Sequence, residues 1–362
     1  MDDLAELAPE TGAAEADWLR VTASPGLTGW MAEQRVSLAC TTYQSGKLML
    51  LGRKADGGLA VFERNFARAM GLWGDGQSLL MSTQFQLWRL ENVLRPQQVY
   101  DGHDRLFVPR LGITTGDLDV HDVAIEAGGR PVFAATGFNC VGTTHDRYSF
   151  APIWRPPFIS ALAAEDRCHL NGIALEGGRL RYATAVAASD EANRWRDHRR
   201  DGGLVLEIPS GEPVATGLSM PHSPRIREGE LWLLNSGTGQ LGKVDRSAGR
   251  FEPAAFCPGY LRGLAFVGEH HAVVGLSKPR RDGTFGGLAL DKVLARRGEE
   301  AVCGLAVVDL RSGEAVHSVR FEGMVSELYD VAILPGATRP MALGFKGDGI
   351  RRIVAAAEPA DL

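Results

Sequence analysis

Three histidines, His121, His169 and His222, stand at the starts of consecutive copies of one short hydrophobic pattern. The same repeat position carries Asp122, Asn171, Arg262 and Asp330, with Tyr329 and Arg68 close by. Three imidazoles meeting at one point, each about 2.0–2.1 Å from an ion, would hold one divalent transition metal, zinc foremost and iron or copper as alternatives. A fourth position left open would make a Lewis acid for hydrolysis or elimination; redox chemistry fits the same ligands. Arg262 is then placed to hold a substrate carboxylate or phosphate, Tyr329 to donate a proton, and Asp122 and Asp330 to act as acid–base groups or to join the ligand set. Arg68 and Asn171 are candidate substrate contacts. The alternative is that these polar groups line a channel and bond one another and water. His121 is one residue out of phase with Asp122, so strand alternation allows Asp122 to take its place as ligand.

The elements that must position these residues are short strands. HDVAIEAGGRPVFAAT, starting at His121, aligns without a gap on LNGIALEGGRLRYAT, starting at Leu170, so that Asp122 falls on Asn171 and the two GGR turns coincide. Further copies place Met70, His222, Arg262 and Asp330 at that position, a spacing that suits a four-stranded propeller blade. With 44 glycines and 18 prolines punctuating the chain, the expected fold is all-β: a six-bladed β-propeller with four-stranded blades. The strand in TTYQSGKLMLLG has no innermost partner before it. The segment RPMALGFKGDGIRRIVAA is therefore expected to join the N-terminal strands and close the ring. Residues 1–25 read as an acidic tail or short helix and 26–362 as one propeller domain, with a long loop at 141–168. In that loop Tyr148, Trp154, Arg155 and Phe158 are expected to form a lid or pocket wall, Trp154 and Arg155 contacting substrate.

HLNGIALEGGRLRYAT resembles the blade opening of six-bladed propellers of the gluconolactonase, paraoxonase and strictosidine synthase type. In that type an Asn or Asp at the place of Asn171 faces the central channel. With TTYQSGKL, DRYSFAPIWRPPFIS, DRCHLNGIAL and ELYDVAILPG, the chain also resembles a widespread family of bacterial conserved hypothetical proteins. The first resemblance implies a hydrolase with a calcium or zinc site, and peptidyl-hydroxyglycine lyase offers a three-histidine zinc site on a similar ring. His222 stands where the gluconolactonase type commonly has Asp, which favours a borderline metal over calcium. The resulting expectation is a metal-dependent hydrolase or lyase acting on a small polar molecule or modified peptide at the channel mouth. The alternative is a non-catalytic propeller that binds a protein or ligand on its top face.

Composition narrows the partners. A net charge of −5 argues against nucleic acid, and the basic run ANRWRDHRRDGG reads as a solvated loop. No apolar run is long enough for a membrane span. The five cysteines form no CxxC pair, and the acidic N-terminus lacks the features of a secretory signal, so the expected location is cytoplasmic. Cys168 beside His169 reads as a buried thiol, and Ser236 and Lys278 as turn residues near the mouth.

Overall fold

The computed structural model describes residues 19–280 and 286–356. Six sheets, each built on an antiparallel four-stranded meander, are arranged in a ring, and we number them in the order in which the chain reaches their second strands. Blade one combines Leu328–Pro335, innermost, with Val36–Thr42, Lys47–Arg53 and Leu59–Asn65. Blades two to six open with the inner strands Leu72–Gly74, Val120–Ile125, Leu170–Glu176, Pro221–Arg227 and Tyr260–Val267. A propeller blade buries both faces of its sheet. Accordingly Val36–Thr42 is buried at every position, without the alternation of a one-sided sheet. One apolar cluster fills each gap between neighbouring blades, for example Leu50, Leu79 and Phe107 between blades one and two and Ile173, Ala183 and Val141 between three and four.

The ring closes on a different segment from the one expected. Leu328–Pro335 pairs antiparallel with Val36–Thr42. The segment assigned to closure instead contributes Pro340–Ala342, parallel to the outer strand Arg105–Thr114 of blade two. Two other expectations change. Leu19–Ala23 is not tail or helix but a fifth, outer strand on blade six, whereas residues 1–18 lie outside the described residues. The stretch 141–168 is not one loop, because Cys140–Thr143 and Ala151–Trp154 form the third and fourth strands of blade three. Among the described residues no helix is long and apolar enough to cross a membrane.

Hydroxyl groups stitch the blades together. At the end of the second strand of five blades a Ser or Thr donates to a backbone carbonyl at the head of the next inner strand: Thr41 to Met70, Ser82 to Val120, Thr136 to Leu170, Ser236 to Leu261 and Ser277 to Leu328. In the remaining blade Thr184 bonds Asn171 of its own inner strand. Each of the five inter-blade bonds gives a buried backbone carbonyl a partner.

Candidate functional site at the channel mouth

The inner strands carry a β-bulge near their heads. Val120 and Val123 span the residues opposite Ala135 and Phe133, His222 and Arg225 those opposite Leu234 and Trp232, and Leu261 and Leu264 those opposite Leu276 and Val274. Leu328 and Val331 repeat the pattern against Thr42 and Cys40. Three residues therefore cover the length of two, and consecutive side chains escape strict alternation. This is how His121 and Asp122, or Tyr329 and Asp330, both take part at the channel.

Their roles separate by depth. His121, Asn171, His222, Arg262 and Tyr329 head the inner strands and are all buried. Asp122 and Asp330 bond across to the next blade: Asp122 Oδ2 accepts the Ile173 N–H at 3.0 Å and Asp330 Oδ2 the Leu72 N–H at 2.9 Å. Ser223 Oγ does the same for Gly263 at 3.0 Å. Between these junctions the inner strands touch through glycine; a Cβ on Gly71 would lie 2.9 Å from Asp122 Cα, and one on Gly263 2.6 Å from Val331 N. The Arg225 guanidinium grips Asp122 at 2.9 and 3.2 Å and lies 3.6 Å from Asp330. Burial, with Asp122 adding and Arg225 opposing, pushes the Asp330 carboxyl up to about 7. The structure thus gives Asp122 and Asp330, expected as catalytic groups, a set of partners that ties blades together. Arg225 also lines an apolar funnel of about 370 Å³ opening along the inner strands, walled by Trp73, Ile173, Phe266 and Ile333.

The three histidines share one feature. His121 Nδ1 lies 2.8 Å from the Asp119 carbonyl and His222 Nδ1 2.8 Å from the Met220 carbonyl. Asp119 and Met220 both adopt positive φ (51° in each), a turn that brings the carbonyl of residue i−2 against the imidazole. A carbonyl only accepts, so Nδ1 carries the proton. Burial, opposed by Asp119, lowers the His121 pKa to about 3, and burial with the nearby Arg262 charge drives His222 well below its usual value. Both rings are therefore neutral, with an unprotonated Nε2. His169 sits in the connector before blade four, itself at φ 52°. Its Nδ1 faces the Asp166 carboxylate at 2.9 and 3.1 Å. Trp195 stacks on the imidazole at 4.0 Å and donates its indole N–H to the same carboxylate at 2.9 Å.

His121 is the centre of the cluster, with ring centroids 4.8 Å from His169 and 5.3 Å from Tyr329. The Tyr329 hydroxyl is buried and has no hydrogen-bond partner among the described residues, and burial raises its pKa well above the usual value. The Arg262 guanidinium covers the Tyr329 ring at 4.6 Å and pairs with Glu327 at 3.2 Å. Arg280 also pairs with Glu327, and its guanidinium lies 4.7 Å from the ring of Tyr43, which stacks on Tyr329 at 5.7 Å. Arg68 pairs with Asp117 and Asp119 at 3.0 and 2.6 Å. His222 is engaged by a different partner: its Nε2 accepts from the Asn171 amide at 3.4 Å.

The fit to a three-imidazole metal centre is incomplete. Among the described residues no group of three or more His, Cys, Asp or Glu side chains is placed to hold a metal ion. His121 and His169 are neighbours, while His222 is committed to Asn171. Trp154 and Arg155 are not brought to the mouth. Trp154 ends the outermost strand of blade three and donates to the Pro209 carbonyl of blade four at 3.2 Å, and Arg155 follows it on the exposed rim. Tyr148 is exposed beside His145 rather than a lid over the channel. Cys168 is buried with its thiol pKa raised by burial. Sequence reasoning missed Asp166, Trp195, Asp119, Tyr43, Arg280 and Glu327. The available signal was Asp119 two residues before His121 and Asp166 three before His169. Trp195 was hidden in a run read as solvated loop, although it is one of the most buried large side chains.

The class is a six-bladed β-propeller with a histidine, tyrosine and arginine cluster at the head of its inner strands. The chain belongs to the family described as a domain of unknown function, DUF4915, whose model matches residues 25–343. No curated protein matches. Among solved structures, the nidogen/laminin complex is similar at 13% identity and a TM-score of 0.54, covering 83% of this chain and 99% of that one. A protein of unknown function from Bacteroides caccae is similar at 9% and 0.50, covering 82% and 98%. A gluconolactonase from Xanthomonas campestris is similar at 11% and 0.47, covering 81% and 87%. At such identities the likeness shows the fold alone.

Proposed function

We propose that the chain is an enzyme of hydrolase or lyase type acting on a small polar molecule or modified peptide at the channel mouth. The observation that carries this reading is the buried Tyr329 hydroxyl, without a hydrogen-bond partner among the described residues, beside His121, which in turn packs against His169. A buried hydroxyl without a partner costs about 1–3 kcal/mol, and a substrate oxygen would repay it. The raised pKa keeps the proton on Tyr329 until a leaving group takes it, so Tyr329 acts as acid. His169 acts as base through Nε2, because Asp166 accepts from Nδ1 and Trp195 fixes the ring plane. Arg262 and Arg280, both paired with Glu327, are the cations nearest the tyrosine pair and would orient an anionic substrate group.

The test is a panel of lactones, esters and elimination substrates assayed with the unaltered chain, His169→Ala and Tyr329→Phe. Loss of about a hundredfold in kcat in each folded variant supports the assignment. An activity that both variants retain overturns it. A second reading keeps a divalent transition metal, zinc foremost, on His121, His169 and His222. It is favoured by one observation: each Nδ1 faces an oxygen acceptor, the outer contact that aims Nε2 at a metal. Bound there, the metal would supply Lewis acidity. Elemental analysis of untagged protein separates the two: near-stoichiometric zinc, iron or copper that disappears in His169→Ala/His222→Ala supports the metal, and metal-free protein after reconstitution removes it. If catalysis and metal both fail, the non-catalytic binding propeller stands.

A further inference from the structure

An open groove of about 740 Å³ lies between blades one and two, at the ends of their strands nearest the mouth. Its walls are aromatic. Trp88 lies 6.3 Å from Phe66 and 5.2 Å from Phe345, ring to ring. Phe85 and Phe345 are half or more exposed, at 50% and 58%. One wall comes from the segment that follows ring closure. After Leu328–Pro335 has completed blade one, the chain crosses to blade two as Pro340–Ala342 and lies so close on Arg64 that a Cβ on Gly344 would be 2.9 Å from Arg64 Cδ. This strap is not needed to close the ring. What it adds is Phe345 over Trp88, with Lys346 next to it on the groove wall.

Arg68 links the groove to the mouth: it lines the groove and binds Asp119, whose carbonyl holds His121. The Arg68 guanidinium also lies 5.8 Å from the ring of Tyr43, the residue stacked on Tyr329. The charged lining is Arg64, Arg68 and Lys346 against Glu63; Arg68 is paired with Asp117 and Asp119 and Glu63 with Lys47 at 3.0 Å, so the groove's cationic character comes from Arg64 and Lys346. Solvent-facing aromatic rings in a concave, cationic setting suit a planar group bearing negative charge.

We infer that this groove is a second subsite, which takes the aromatic, anionic portion of an elongated ligand. The inference rests on the proposed mouth chemistry only for what becomes of the ligand's other end, which reaches Tyr329 past Arg68 and Tyr43. Phe85, Phe345 and Lys346 then determine specificity rather than reaction.

The probe is 1-anilinonaphthalene-8-sulfonate, titrated by fluorescence against the full chain. Phe85→Ala/Phe345→Ala should weaken binding by about tenfold. Both side chains are largely exposed, so the double variant should keep its fold, checked by circular dichroism. Lys346→Ala should weaken the sulfonate by about threefold and leave the neutral probe 1-naphthol unchanged. Trp73→Ala, in the apolar funnel, should leave binding as it is. The inference is overturned if the unaltered chain does not bind the probe, if the double variant binds as well as the parent, or if Trp73→Ala abolishes binding. Equal effects of Lys346→Ala on both probes overturn the anionic assignment. His169→Ala retains probe binding if the subsite is real, so a failed groove and a failed catalytic mouth give different results.

Discussion

Asp330→Asn should make the protein's stability depend differently on pH, by an amount the structure sets. The Asp330 carboxyl titrates near 7 in the fold and near 3.8 when unfolded. Between these values the folded state holds a proton that the unfolded state has released. That proton's contribution to stability is complete below about pH 4 and lost as pH rises through 7. Each pH unit well inside the window shifts the folding equilibrium about tenfold, so wild type gives up about 2 kcal/mol between pH 5 and 7 from this group. His121 and His222 work in the opposite sense. Their folded pKa values lie below 6.5, so their contribution is present above the unfolded pKa and falls away in acid. They are common to both proteins and cancel in the difference. Guanidinium unfolding followed by tryptophan fluorescence at pH 5, 6, 7 and 8 should show Asp330→Asn gaining on wild type by about 2–3 kcal/mol as pH rises, then levelling. A pH-independent difference would show that Arg225 keeps Asp330 ionised throughout and would refute the reasoning.

Arg225→Met strands two carboxyls in the channel and should cost about 3–5 kcal/mol in chemical denaturation, with Asp122→Asn restoring part of it. Thr136→Val removes the hydroxyl that bonds the Leu170 carbonyl at 2.6 Å and should cost about 1–3 kcal/mol, read from the same unfolding curves. Asp166→Asn should shift the His169 ring from its Nδ1–H towards its Nε2–H tautomer, visible in its ¹⁵N chemical shifts; an unchanged tautomer would remove His169 as the proposed base.

The ring was legible because its innermost hairpin repeats at constant length, as the gapless match of the segments at His121 and Leu170 shows. The outer strands were not. Ala151–Trp154 is four residues long with Pro152 inside it, and Leu19–Ala23 is a half-exposed edge, so neither shows the buried, continuous pattern of an inner strand. The phase at the channel was left open for a different reason. Counting alternate residues allowed Asp122 to stand in for His121 as ligand, whereas the bulge between Val120 and Val123 breaks that count and lets both take part. Contacts between distant segments, such as Arg68 with Asp119 or Trp195 on His169, leave no local trace in the sequence.

Blade one has a history in time as well as a place in space. Its three outer strands, Val36–Thr42, Lys47–Arg53 and Leu59–Asn65, leave the ribosome first, yet their inner edge has no partner until Leu328–Pro335 is made. That is roughly 260 residues after Asn65, or about 13–50 s at ~5–20 residues per second. Throughout that interval the nascent chain displays a buried-type sheet with an open edge, the form most prone to pair with another chain. The last inner strand is therefore a synthesis checkpoint: a chain truncated before Leu328 loses the strand that covers that edge in the ring, and aggregation during translation should be concentrated in such products.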